Sequence, residues 1–244
     1  MHLEKFYASR LGQAAQAMAM RRLETVWPDL GGRDILAYGY GTPYIAPYLE
    51  HAKRLVLAMP GGQGAIAHSS RRGIISCLVQ DDLLPFSDAQ FDNVLVAHGA
   101  EETESLATLL SELWRVTKPE GRIIIIAANR AGLWARSDKS PFGTGRPFSR
   151  TQLRSYLRAA RFEPTVWSGA LYAPPLHLFT GPTLLGTFEQ FGETVWPGFS
   201  GLVLVEAVKR LYADPSGRKA HKVSRPVFGA APIGNTAGNS ASRD

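Results

Sequence analysis

Short unbroken apolar runs alternate along this chain with longer stretches whose apolar residues recur every three or four positions. The runs predict strands and the stretches predict helices. Phe6, Tyr7, Leu11, Ala14, Met18, Leu23 and Trp27 fall at roughly helical spacing, with Arg10, Arg21 and Arg22 left for the wet side. They predict an N-terminal helical segment over residues 1–30, ended by Pro28 and the Gly31–Gly32 pair. Strands are predicted over 34–38, 54–59, 73–79 and 91–98, and the run RIIIIAA (122–128) predicts one more, buried on both faces. The sharpest helical pattern covers 103–118, where Leu106, Leu109, Leu110, Leu113 and Val116 form one stripe and Pro119 with Gly121 stops it. Another helix is predicted over 149–162, capped by Ser149. PTVWSGALYA (164–173) and GLVLVEAVKRLY (201–212) predict two late strands, separated by a helical insert at about 174–199 that prolines and glycines punctuate.

Strands that alternate with helices imply an α/β fold: a parallel sheet with right-handed crossovers and helices on both faces. Ligands of such sheets bind beyond the carboxyl ends of the strands, where the strand order reverses. The loops after residues 38, 59, 98 and 128 are therefore the places to look for chemistry. The sequence divides into the N-terminal helical segment (1–30), an α/β domain (31–213) carrying the insert, and a Gly-, Ser-, Ala- and Pro-rich basic tail (214–244) expected to be flexible.

Composition narrows the classes. At 244 residues and 45% apolar content the chain can bury one large core, and its net charge of +6 only weakly suggests a nucleic-acid partner. The single cysteine, Cys77, excludes an internal disulfide and a Cys-rich zinc site, so no metal is expected and a cytoplasmic setting fits. No apolar run is long enough to span a membrane. P-loop, HExxH and Ser-His-Asp patterns are absent.

Two stretches carry a family resemblance. DILAYGYGTPYIAPYL (34–49) is a strand running into a Gly39-x-Gly41 turn and a helix start. LPFSDAQFDNVLVAH (84–98), followed by LLSELWRVTKPEGRIIIIA (109–127), is the second. The order of these pieces resembles the class I S-adenosylmethionine-dependent methyltransferase superfamily, in its small-molecule branch with an LPF loop. The resemblance implies a three-layer Rossmann-like methyltransferase fold with a mostly parallel seven-stranded sheet. It also implies S-adenosylmethionine as cofactor and transfer of a methyl group to an oxygen or nitrogen acceptor. Cofactor contacts carried over by the resemblance are Tyr38, Gly39, Tyr40 and Gly41 in the turn, Met59 at the ribose position, and Asp81 or Asp82 at the adenine.

Two handles of the family are missing. Ala37 stands where the first strand usually ends in an acid, and Met59 where a second acid usually holds the ribose hydroxyls. Losing one such carboxylate–hydroxyl bond costs ~1.5–3 kcal/mol, which implies weak cofactor binding unless Gln63 or the GGQG backbone replaces it. Pro43 replaces a third glycine but suits the first turn of a helix behind a Thr42 cap. A nicotinamide cofactor is disfavoured, because Tyr44 stands where its fingerprint needs a glycine.

His98, at the end of a strand, is the candidate catalytic residue, as a neutral imidazole that orients an acceptor or takes its proton. The competing reading is a hydrogen-bonded loop histidine. Glu101 and Glu102 stand in a similar position. The loop 129–150 interleaves Arg130, Arg136 and Arg146 with Trp134, Phe142 and Phe148, a composition for gripping an anionic acceptor or RNA. The alternative is that its aromatics plug the core. Beside the enzyme stand a catalytically inactive member of the fold acting as a partner or regulatory subunit, and an RNA-binding module.

Overall fold

In a computed structural model of the protein, the structure describes residues 3–63, 68–70, 73–137, 140–143, 145–175, 182–196 and 198–211. The sequence-predicted tail (214–244) and residues 176–181 of the insert lie outside the described residues. Seven strands form one sheet: β1 (Asp34–Gly39), β2 (Arg54–Pro60), β3 (Ser76–Val79), β4 (Phe91–Ala97), β5 (Thr117–Ala128), β6 (Phe162–Ala170) and β7 (Leu202–Lys209). Their order is β3-β2-β1-β4-β5-β7-β6. β3, β2, β1, β4 and β5 run parallel, while β7 is antiparallel to both β5 and β6. The order reverses between β1 and β4, so the chain leaves their carboxyl ends in opposite directions and a crevice opens there.

Every residue of β1 is buried, which is why its run is apolar on both faces. Ile35 and Ala37 point into one core and Leu36 and Tyr38 into the other. The first core is covered by α1 (Leu3–Ala8), α2 (Arg10–Val26) and α3 (Thr42–Ile45). The second is covered by α4 (Leu106–Val116) and α5 (Arg150–Ala159). The five-residue stripe of α4 is wholly buried. Ser149 caps α5 in a full capping box with Gln152, as the serine before that helix predicts. α6 (Pro182–Val195) is tied to α2 by Arg22, whose Nη1 and Nη2 donate to Glu193 at 3.0 and 2.6 Å.

Several boundaries differ from the sequence pattern. The N-terminal segment is two helices, broken at Ser9, whose side chain caps α2 by accepting from Gly12 N at 3.1 Å. A Cβ on Gly12 would lie 1.9 Å from the Phe6 carbonyl, so α1 folds back against α2 only because that position is glycine. α4 starts at Leu106 behind a Ser105 cap and stops at Val116, because Thr117 is already extended and pairs with Phe91. β5 therefore runs through Pro119 and Gly121 rather than starting after them. The third predicted strand is shorter: only Ser76–Val79 joins the sheet, and 73–74 pairs with 69–70 in a small antiparallel ribbon.

Candidate functional site

The crevice at the carboxyl ends of β2, β3 and β4 is a cleft of about 850 Å³. Its walls are the loop after β2 (60–63), residues 79–82 after β3, and Gly99 with residues 102–105 after β4. Asp81, Asp82, Glu102 and Glu104 line it, and no lysine or arginine does among the described residues. The cleft thus favours neutral or cationic ligands over phosphates.

The turn between β1 and α3 is tight. Gly39 has φ +82, and a Cβ there would lie 2.3 Å from the Ala97 carbonyl, which accepts from Tyr40 N at 2.8 Å. Gly41 is the residue before α3, Thr42 its first residue and Pro43 its second, one step earlier than a Thr42 cap would place them. Thr42 makes no side-chain cap bond.

The predicted contacts separate into two groups. Tyr38 is fully buried, and its hydroxyl donates to Asp81 at the cleft wall. Burial, then the Asp81 carboxylate, pushes the Tyr38 phenol far up, so it stays a donor. Asp81 and Asp82 line the cleft. Met59 does not: it is 2% exposed, packs in the first core and stands opposite Leu78 in register. The residue that emerges beyond it is Pro60. Gly39 and Gly41 shape the turn but are not in the cleft wall.

Tyr40 and His98 belong instead to an aromatic cluster that α1 completes. Tyr7 Oη lies 2.7 Å from Tyr44 Oη and 2.7 Å from His98 Nε2. Tyr40 stacks on Tyr7, and Phe142 stacks on the His98 ring with centroids 4.9 Å apart. Phe6 and Trp134 pack edge-on against Phe142. Burial holds the His98 imidazole neutral by lowering its pKa to about 3. His98 has φ +53, a left-handed backbone that is strained for a residue with a Cβ.

Glu101 is a second buried titratable group. It is 5% exposed, and its Oε1 accepts from Ala128 N at 2.7 Å, while its Oε2 has no partner among the described residues. Burial raises its pKa to about 7 despite that backbone donor, and neighbouring Glu102 adds to the rise. The sequence marks it only as one of two adjacent acids behind β4.

The loop 129–150 sorts its residues by type. Trp134, Phe142 and Phe148 are buried, and Trp134 Nε1 donates to the Ala173 carbonyl at 2.7 Å. Arg130, Arg136 and Arg146 are exposed. Arg130 bonds the Pro147 carbonyl, and Arg146 reaches the Glu104 carbonyl at 3.4 Å, at the rim of the cleft.

Two further polar groups belong to the wall: Thr103, which the sequence did not mark, and Gln63, which it offered as a replacement for the missing acid. Thr103 is 6% exposed and its Oγ1 has no partner among the described residues. Gln63 Nε2 donates to the His98 carbonyl at 2.5 Å, and its Oε1, also buried, has no partner among the described residues. Among the described residues there is no cluster of metal ligands, and no helix is long and apolar enough to cross a membrane.

Comparison with known proteins agrees with this architecture. The family described as "Methyltransferase domain" matches residues 36–125, which hold the turn, the cleft-forming strands and the start of β5. A protein of Mycolicibacterium smegmatis named as a probable S-adenosylmethionine-dependent methyltransferase is 29% identical over 160 residues. That stretch is 62% of each protein, so the chain spans less than two thirds of the relative's length. A Thermotoga maritima structure described as an S-adenosylmethionine-dependent methyltransferase, possible histamine N-methyltransferase, superposes with TM-score 0.60 at 16% identity, covering 85% of this chain and 94% of the other. A chain from the complex between the Haloferax volcanii Trm112 methyltransferase activator and a candidate methyltransferase also gives 0.60, at 14% identity, covering 86% and 98%. The strand order, the Gly39-x-Gly41 turn and the matched residues 36–125 together make the chain similar to S-adenosylmethionine-dependent methyltransferases, whose Rossmann-like fold it shares.

Proposed function

We propose that the protein binds S-adenosylmethionine in the cleft behind β2, β3 and β4 and transfers its methyl group to a small oxygen or nitrogen acceptor. The observation that carries this reading is the cleft itself, at the reversal of strand order and walled by carboxylates and by unpartnered buried polar atoms. The residues fit the nucleoside half of the group. Gln63 Oε1 and Thr103 Oγ1 are acceptors without donors among the described residues, and Asp81 is braced by Tyr38. When bound, the cofactor supplies an electrophilic methyl on a positively charged sulfur. The four wall carboxylates favour that charge, and catalysis rests on holding the acceptor in line with the methyl group.

A second reading has its own observation. The aromatic cluster of Tyr7, Tyr40, Tyr44, His98 and Phe142 fills the space beside the Gly39–Gly41 turn, and no acid stands at Ala37. Phe191, Trp196 and Phe199 are exposed around the insert. These features support a non-catalytic subunit that docks on another protein.

Thermal unfolding with S-adenosylmethionine, S-adenosylhomocysteine and ATP separates the two. Occupancy at 100 times the dissociation constant stabilises by ~2.7 kcal/mol, a midpoint rise of roughly 5–10 °C for a domain of this size. The enzyme reading expects that rise with the first two ligands and none with ATP. No rise at millimolar S-adenosylhomocysteine would sink it.

A further inference from the structure

We infer that Gln63 is the residue that holds the ribose diol, replacing the carboxylate that position 59 lacks. The inference rests on the cofactor reading above and goes beyond it in assigning a residue and an atom.

Met59 faces the core and Pro60 carries no polar side chain, so β2 offers the cleft no side-chain acceptor. The chain then runs through Pro60, Gly61 and Gly62 along the cleft wall to Gln63. The orientation of the Gln63 amide is fixed by chemistry. A carbonyl oxygen can only accept, so the atom 2.5 Å from the His98 carbonyl must be the NH₂ group. That bond links the loop after β2 to the end of β4, and it leaves Oε1 as an acceptor. Oε1 is buried, has no donor among the described residues, and belongs to a residue that lines the cleft. Buried acceptors without donors are uncommon in native proteins, and this one belongs to a cleft residue, where a ligand can supply the donor.

A vicinal diol brings two O–H donors. Asp81, the other strong acceptor with a defined partner, already accepts from Tyr38. An amide oxygen is a weaker acceptor than a carboxylate, so the site holds a ribose with reduced affinity while keeping a preference for its hydroxyls.

Calorimetric titration with adenosine and 2′,3′-dideoxyadenosine tests this on the full chain, as wild type and as Gln63→Met, with S-adenosylhomocysteine as a third titrant. The expected result is a wild-type preference for adenosine of about 3- to 10-fold that collapses to about 1-fold in the variant, the size of one neutral hydrogen bond. A preference that persists in Gln63→Met overturns the assignment and leaves the nucleoside site standing. Wild type that binds no titrant overturns both the cofactor reading and this inference. A circular dichroism melt of the variant shows whether it folds. Should it not, the adenosine gap in wild type carries the test, and equal binding of the two nucleosides refutes the inference.

Discussion

Glu101→Gln isolates the cost of the acid buried behind β4. In the fold, burial lifts this carboxyl from 4.5 to about 7, while the donor at Ala128 N works the other way and Glu102 adds to the lift. A raised carboxyl pKa means the native state holds a proton that the unfolded chain has lost. Its stabilising contribution is full below about pH 4.5 and disappears as the pH rises through about 7. The span of 2.5 pH units between 4.5 and about 7 corresponds to ~3 kcal/mol. Glutamine keeps an oxygen for the Ala128 bond and never ionises. Urea unfolding followed by tryptophan fluorescence, at steps from about pH 4.5 to about pH 8, gives the stability of both proteins. His98 opposes this trend: buried and neutral, with a pKa of about 3, it costs stability as the pH falls below 6.5. That term is common to both proteins and cancels in the difference. The variant should gain on wild type by ~3 kcal/mol between about pH 4.5 and about pH 7.5, then level off. Parallel curves would show that Glu101 titrates normally and that its burial does not govern its charge.

Three further outcomes follow from single contacts. Gly39→Ala forces a Cβ to 2.3 Å from the Ala97 carbonyl at a positive φ, and urea denaturation should show a loss above about 2 kcal/mol. Tyr38→Phe removes the donor to Asp81 and should lower stability by ~1–2 kcal/mol, seen as a midpoint drop of roughly 2–8 °C. Ser149→Ala breaks the capping box of α5 at the cost of ~1 kcal/mol without touching ligand affinity, which paired melts and titrations would check.

The sequence carried the elements wherever burial imposes a period. Parallel strands covered on both faces need unbroken apolar runs, so β1, β4 and β5 stand out, and the stripe of α4 and the Ser149–Gln152 box of α5 are equally local. The Gly39-x-Gly41 turn was legible because close approach to Ala97 admits no side chain at Gly39. Boundaries set by distant partners were not legible. The break at Ser9 lies inside a good helical pattern and exists because Phe6 and Tyr7 pack against Phe142 and His98. The early end of α4 follows from the pairing of Thr117 with Phe91.

The candidate site divides the same way. Asp81 and Asp82 could be placed from the order of motifs, because a loop between consecutive strands has nowhere else to go. The burial of Met59, the aromatic cluster around His98 and the hold of Gln63 on the His98 carbonyl could not. Tyr7 and His98 are 91 positions apart, and Gln63 and His98 are 35 apart. Such contacts depend on where the sheet brings strand ends together and which side chain wins the space, and neither is written in any local period. The sequence alone thus determined an α/β sheet with a tight glycine turn after its first strand. The tertiary structure decided that the crevice stays open beside residues 60–63 and 79–82 while tyrosines from α1 and α3 fill the space beside the Gly39–Gly41 turn.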